Sequence, residues 1–211
     1  VDYNGGFVMP AAIDRATYLV FSAANESTST IFADDMQQEI VISNESAIKR
    51  TQFEGSALPD WGLYPAGICS VLQQQGIAVI SLKGVFASDV PIGAGLSSSA
   101  SVEVAFLSAW LTLGGNTLPL MEQARLCQRA ENEYVGVNCG IMDQFASICG
   151  QTDRLLYLDC RTLEWETLPL PPEVTIVIAD TRVRHKLTSG EYNLRRQDCE
   201  EAVRILKNDL P

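Results

Sequence analysis

The chain has 211 residues, 46 % of them apolar, with 26 acidic side chains against 15 basic ones and a formal net charge of −11. That length and apolar share allow a sizeable core in one large domain or one and a half, while the acidic balance and the lack of a basic stripe exclude a general affinity for nucleic acid or anionic membranes. Six cysteines with no Cys-x-x-Cys pair, and His185 as the lone histidine, speak against zinc and for a reduced, cytoplasmic protein with no signal peptide or spanning segment.

The opening Val1-Asp2-Tyr3-Asn4-Gly5-Gly6 is a turn with nothing before it to turn from, and Leu210-Pro211 follows directly on a helical pattern. Both ends are therefore expected to be cut and the chain to be a fragment. Around Pro10, the stretches Phe7–Met9 and Ile13–Ser22 predict strands of a hairpin-rich start. A polar connector, Ala23–Thr30, leads on to a strand at Gln38–Ser43. Trp61, Tyr64, Ile68, Val71 and Leu72 then repeat at helical spacing, with Gly76 placed to end the helix. Ile77–Phe86 predicts a strand with Ile80, Leu82 and Phe86 on one face and Ser81 and Lys83 on the other.

That strand delivers the chain to Pro91–Ser101, the run Pro-Ile-Gly-Ala-Gly-Leu-Ser-Ser-Ser-Ala-Ser. Gly93 and Gly95 free the backbone for φ > 0 and close approach of a ligand, and Ser97, Ser98 and Ser99 are N-cap candidates for the next helix. Unpaired N–H groups at such a helix start favour an anion. From Gly84 to Val102 the only charged residue is Asp89. Backbone donors and a metal ion must then neutralise a phosphate, since the run has neither the Gly-Lys-Ser/Thr ending of a Walker A loop nor a full Gly-x-Gly-x-x-Gly fingerprint.

Ala100–Leu113 is apolar nearly all round and predicts a buried helix ended by Gly114-Gly115-Asn116. A second helix is expected from Pro119 to about Tyr134, with Leu120, Ala124, Cys127 and Tyr134 inward and Glu131 on the same stripe. A carboxylate there needs a partner, which leaves a buried salt bridge or capping contact on one side and a metal ligand on the other. Gly136–Phe145 sets Asp143 among apolar neighbours and glycines. Asp143 reads either as a plain helix-start acid or as a base or orienting carboxylate in a dry pocket. Arg154–Asp159 and Val174–Ala179 predict strands separated by the Pro-rich Leu168–Pro172, the best candidate for a lobe boundary. A helix from Glu191 to Lys207 follows, with Tyr192, Arg195, Cys199, Ala202 and Leu206 on one face and a basic entry at Arg182, Arg184, His185, Lys186, Arg195 and Arg196.

Several of these stretches together resemble the galactokinases of the GHMP family of small-molecule kinases. Val1–Gly6 is similar to the tail of the galactokinase signature, and Pro91–Ser101 to the GHMP phosphate motif in its three-serine form. Cys139-Gly140-Ile141-Met142-Asp143-Gln144-Phe145 behind Ala130-Glu131-Asn132-Glu133, and Ser189–Arg196, resemble galactokinase segments in the same order. The resemblance implies a mixed α/β (α+β) fold. Residues 1–170 would form the GHMP N-terminal lobe, like domain 2 of ribosomal protein S5, and 171–211 the start of a ferredoxin-like C-terminal lobe.

For the site, the resemblance implies that Gly93, Gly95, Leu96, Ser97, Ser98 and Ser99 hold the ATP phosphates and that Trp61 lies near the adenine. Ser99 and Glu131 would hold Mg²⁺. Asp143 would serve the anomeric hydroxyl of galactose, and Asp2, Gly140, Asp143 and Tyr192 would contact the sugar. A cytoplasmic monomer is implied, with galactose and ATP as its partners. The family's catalytic arginine, its sugar-binding glutamate and histidine, and its third motif would lie outside the stretch given, so activity would belong to the parent protein. N-acetylgalactosamine kinase and a non-catalytic galactose- and ATP-binding regulator are the alternatives; loss of a serine from the loop would favour the regulator, and all three are present. Ser46-Ala47-Ile48-Lys49 fits a hydrolase motif, but no Ser-Asp-Asn or Lys-Thr-Gly accompanies it.

Overall fold

The computed structural model describes residues 2–180 and 191–209, except the side chains of 191–192 and 208–209. Two antiparallel-rich sheets carry the fold. Strands β1 (Phe7–Val8), β6 (Arg154–Asp159) and β7 (Trp165–Pro169) form one, in the order β1-β6-β7. The other has four strands in the order β2-β5-β3-β4: β2 (Thr17–Ala23), β3 (Thr28–Ala33), β4 (Gln38–Ser43) and β5 (Leu82–Ser88). β3 and β5 run parallel, and a parallel pair needs a long crossover; here the chain supplies β4, α1 (Asn44–Ile48) and α2 (Leu63–Gln74) between them.

Alternation places the cores. Ser29, Ile31 and Ala33 of β3, Ile40 and Ile42 of β4, and Leu82 and Phe86 of β5 are all buried on one face of the four-stranded sheet. Against them pack Ile68 and Leu72 of α2 and Phe106, Leu107 and Trp110 of α3 (Ser98–Gly114). Each such side chain contributes on the order of 1.5–3 kcal/mol by leaving water. A second, smaller core joins Val8, Leu156 and Leu158 of the three-stranded sheet to Ala124 of α4 (Leu120–Arg129) and Phe145 of α5 (Met142–Cys149). α3 and α4 touch both groups of elements. The region between the two cores is where the conspicuous polar residues gather.

Gln38–Ser43, Arg154–Asp159, the Trp61 helix ended at Gly76 and the buried helix ended at Gly115 are as expected, the last two glycines having φ of +72° and +65°. Other elements differ for identifiable reasons. β1 and β2 do not form a hairpin: Phe7 pairs with Asp159 while Thr17–Ala23 pairs with Leu82–Ser88. Pro10 has no N–H for a ladder, and only its carbonyl is used, by Leu156 N–H. The strand expected from Ile77 begins at Leu82, where its partner Ala23 ends. β3 starts inside the stretch read as a polar connector, because Thr28 and Thr30 face outward and the Ser29 hydroxyl accepts a bond from Leu82 N–H. Leu120 is 46 % exposed, on the first turn beyond the packed stripe.

The expected helix to Tyr134 is α only to Arg129 and continues as a π turn over Ala130–Val135. Val174–Ala179 carries no ladder among the described residues, and Val177 is 84 % exposed; a strand requires a neighbour, which β7, not among the expected strands, finds in β6. Arg182, Arg184, His185 and Lys186 lie outside the described residues. α6 (Glu191–Asp209) is present, but its half-buried side is Asn193, Arg196, Cys199 and Val203, and Leu206 is exposed. Polar contacts from Asn193 and Arg196, rather than apolar ones, set that rotation. No helix among the described residues is long and apolar enough to cross a membrane.

Candidate active site

Three residues of the β5–α3 loop take positive φ: Gly93 (+66°), Gly95 (+75°) and Ser97 (+60°). Glycine does this at little steric cost, whereas a serine in that region is strained by roughly 1–2 kcal/mol. Ser97 is the N-cap of α3, yet its side chain does not cap the helix. The expectation of a serine cap is thus corrected at Ser97: its hydroxyl is turned toward Asp143, and that of Ser99 toward Glu131, each favouring the ionised form of that carboxyl. Both hydroxyls reach across to other helices, and the first N–H groups of a 17-residue helix are left facing the loop.

The loop stands between two clefts. One, of about 820 Å³, is lined by Gly95, Leu96 and Ser97 together with Asp2, Met142 and Asp143. The other, of about 500 Å³, is lined by Gly93, Ser98 and Ser99 together with Trp61, Tyr64 and Gln38. Trp61 is fixed at the second cleft by a 2.8 Å bond from its indole N–H to Gln38 Oε1 and by Phe86 at 5.5 Å. A phosphate held by the loop would therefore have a carboxylate on one side and an aromatic-lined apolar cleft on the other.

At the first cleft, α5 carries Asp143 in its opening turn. Burial holds the Asp143 carboxyl above its ordinary range, opposed by the Ser97 bond and reinforced by the nearby charge of Asp2. Asp2 accepts a 3.2 Å bond from Met142 N–H and lies so close over Gly140 that a Cβ there would meet Asp2 Oδ2 at 1.9 Å. Asp2, Gly140 and Asp143 are thus brought together. Tyr192 sits at the start of α6, and its side chain lies outside the described residues.

Glu131 is 3 % exposed, on the π turn, and Tyr134 anchors that turn by donating its hydroxyl to the Ala47 carbonyl and packing its ring on Gly67 of α2. Glu131 Oε2 accepts from Gln144 Nε2 at 2.6 Å and from Cys139 Sγ at 3.4 Å. Gln144 Nε2 also donates to Glu103 Oε2 at 3.2 Å, and both Glu103 and Gln144 are fully buried. Burial raises the pKa of Glu131, and raises that of Glu103 well above its ordinary value with Glu131 as a second cause. The salt-bridge reading of Glu131 is excluded among the described residues, since no basic group is among its partners.

The donor set suits one particular kind of cation. Ser99 and Glu131 offer two hard oxygens, and no group of three or more acidic, histidine or cysteine side chains capable of holding a metal occurs among the described residues. A pair of oxygen donors beside a loop whose N–H groups favour an anion would suit Mg²⁺, which keeps several waters and shares itself with phosphates instead of entering an all-protein cage. Sequence reading overlooked Glu103, although it is the lone charge between Ser97 and Gly114 and so stands out in an otherwise apolar helix.

Residues 64–151 match the family model described as the GHMP kinases N-terminal domain, and residues 1–23 match the galactokinase galactose-binding signature. A curated galactokinase of Roseiflexus sp. (strain RS-1) is 40 % identical over 210 residues, covering 100 % of this chain and 52 % of that relative. One of Pyrococcus furiosus is 38 % identical over 205 residues, covering 97 % of this chain and 55 % of its own length. The crystal structure of Lactococcus lactis galactokinase complexed with galactose superposes with a TM-score of 0.84 at 27 % identity, over 100 % of this chain and 54 % of that one. Methanococcus jannaschii mevalonate kinase shares the fold, with a TM-score of 0.63 at 19 % identity over 78 % of this chain and 50 % of its own. The chain spans about half the length of the curated relatives it matches.

Proposed function

The chain belongs to the GHMP kinase family, and on that premise we propose that the whole protein transfers the γ-phosphate of ATP to the anomeric hydroxyl of galactose, giving galactose 1-phosphate. The observation that carries this reading is the position of the Gly93–Ser99 loop between two clefts, one ending on Asp143 and the other on Trp61. The galactokinase signature over residues 1–23 and the relatives' names support galactose as the acceptor. Residues 1–170 then form the N-terminal lobe and 171–211 the beginning of a second.

In this assignment the backbone N–H groups of the loop and of the first turn of α3 bind the phosphates, with Trp61 beside the base. Asp2, Gly140 and Asp143 take the sugar's hydroxyls, with Tyr192 as a further contact. Ser99 and Glu131 would hold Mg²⁺, which supplies the positive charge the loop lacks. Asp143 accepts or orients the proton of the attacking hydroxyl, and its raised pKa makes it a better base than an exposed aspartate. The Ser97 hydroxyl fixes that carboxylate's direction. Phosphoryl transfer depends chiefly on positioning and charge stabilisation, so this preorganisation contributes more than the proton transfer itself.

The test is galactose-dependent ADP release by the whole protein, run with ATP against a panel of hexoses that includes N-acetylgalactosamine. Galactose is expected to be the preferred acceptor; preference for N-acetylgalactosamine, or no hexose-dependent release, would overturn the reading. Asp143→Asn should lower kcat about 10²–10⁴-fold, as for loss of a general base, while calorimetry still detects galactose binding. Wild-type turnover in that variant would remove Asp143 from the mechanism.

A further inference from the structure

Three helical elements meet between the two apolar cores and present a buried cluster of polar groups there: Glu103 from α3, Gln144 from α5 and Glu131 from the π turn. The amide nitrogen of Gln144 spans the two acids, at 2.6 Å from Glu131 Oε2 and 3.2 Å from Glu103 Oε2. Its two hydrogens are thereby used. What remains is a matched pair of orphans: Glu103 Oε1 and Gln144 Oε1 are both buried and have no donor. Reversing the amide would set its oxygen against the Glu131 carboxylate in place of the donor now 2.6 Å away, so the orientation with nitrogen toward Glu131 is the one that acid selects. A single proton on Glu103 would turn one orphan acceptor into a donor, with Gln144 Oε1 as the buried acceptor that lacks one, while Glu103 Oε2 accepts from Nε2.

We infer that Glu103 is a positioning residue: as a neutral acid it pairs with both ends of the Gln144 carboxamide, locking that amide so that its other N–H holds Glu131 facing Ser99. The inference rests on the proposed metal-holding role of Ser99 and Glu131 and adds to it the group that sets Glu131's direction. The complete burial of Glu103 beside a second carboxyl raises its pKa, in agreement with a neutral form. Groups that orient a metal ligand through a hydrogen bond commonly change metal affinity without touching the ion. Glu103 does not itself line the sugar-side cleft, and its side chain is spent on Gln144, so galactose affinity is expected to change far less than metal affinity.

The experiment uses the whole protein, with Mn²⁺ as the probe, its binding in the presence of ATP read by electron paramagnetic resonance, and galactose affinity read by calorimetry. Glu103→Met removes the pairing and should weaken Mn²⁺ binding about 10–100-fold, the usual effect of losing such a partner, with galactose affinity changed far less. Glu103→Gln can form the same two-bond ring with Gln144 and should restore Mn²⁺ binding to near the wild-type value. Unaltered Mn²⁺ binding in Glu103→Met would overturn the inference, as would a Glu103→Gln variant as impaired as Glu103→Met, since that would require an ionised Glu103. Should Glu103→Met fail to fold, infrared spectra decide: a protonated-carboxyl band at neutral pH, lost in Glu103→Gln, supports the pairing, and its absence from the wild type overturns it. A wild-type protein that binds no Mn²⁺ with ATP would be a different failure, overturning the kinase reading itself and this inference with it.

Discussion

A methyl group at position 140 would lie 1.9 Å from Asp2 Oδ2 and 2.1 Å from its Cγ, and a Cβ cannot rotate out of the way because the backbone fixes it. Something must move, and the short Asp2 side chain is what lies against it. Gly140→Ala is therefore expected to push Asp2 off its bond with Met142 N–H and to disturb the turn that carries Asp143. Overpacking of this kind typically costs about 1–3 kcal/mol. In the proposed function the consequence falls on the sugar side: the KM for galactose should rise at least tenfold, while the KM for ATP changes little, because the nucleotide cleft lies beyond Ser98 and Ser99. Steady-state titration of each substrate checks this, and an effect confined to ATP would break the assignment of Asp2 to the sugar.

At the level of elements, α6 is held to the site by polar contacts on an exposed seam. Asn193 Oδ1 accepts from Asn138 N–H at 2.9 Å, Asn193 Nδ2 donates to the Gly136 carbonyl at 3.0 Å, and Arg196 Nη1 donates to the Asn138 carbonyl at 2.9 Å. These bonds clamp the segment between the π turn of Glu131 and the turn of Gly140. Net hydrogen bonds in such settings are worth about 0.5–1.5 kcal/mol each, so Asn193→Ala, which removes two of them, should cost about 1–3 kcal/mol in all. Its local signature is sharper: exchange of the Asn138 amide with deuterium should speed up markedly while amides in the middle of α3 stay protected. Equal loosening of both would show that α6 supports the whole lobe instead of this segment.

The seam also explains what sequence could and could not disclose. Helix periodicity found α2 and α3 because their burial is apolar and regular. It misplaced the buried side of α6 by one residue because asparagine and arginine make that contact. The buried setting of Asp143 and of Glu131 was legible, since each is a carboxylate at close spacing among apolar residues; the packing of Asp2 over Gly140, 138 positions apart in the chain, was not. β3 and the β1–β6 pairing were not: Thr28 and Thr30 disguise a strand whose inner face is sound, and a pairing between Phe7 and Asp159 leaves no local mark in sequence.

Across the whole molecule, Glu103, Glu131 and Asp143 all have pKa values raised by burial, against a background net charge of −11. The folded chain thus binds more protons than the unfolded one once pH exceeds the ordinary carboxylate range, and its stability must fall as pH rises. The stabilisation relative to an ionised acid is fully present below the unfolded pKa, about 4.3 for a glutamate, and is lost as pH climbs through each raised value. This is the reverse of the usual acid denaturation of salt-bridged proteins. Glu103 is the group with which to measure it, since it is fully buried and burial raises its pKa well above the ordinary value. Glu103→Gln cannot ionise, so the variant should gain stability relative to the wild type as pH rises from 5 to 8, by up to about 1.4 kcal/mol per pH unit. Denaturant unfolding of both proteins across that range reads the difference directly. A constant difference would place an ionised Glu103 in the folded state, and Gln144 would then be bridging two charges with Oε1 still unsatisfied, a far costlier arrangement in a site with no basic partner among the described residues.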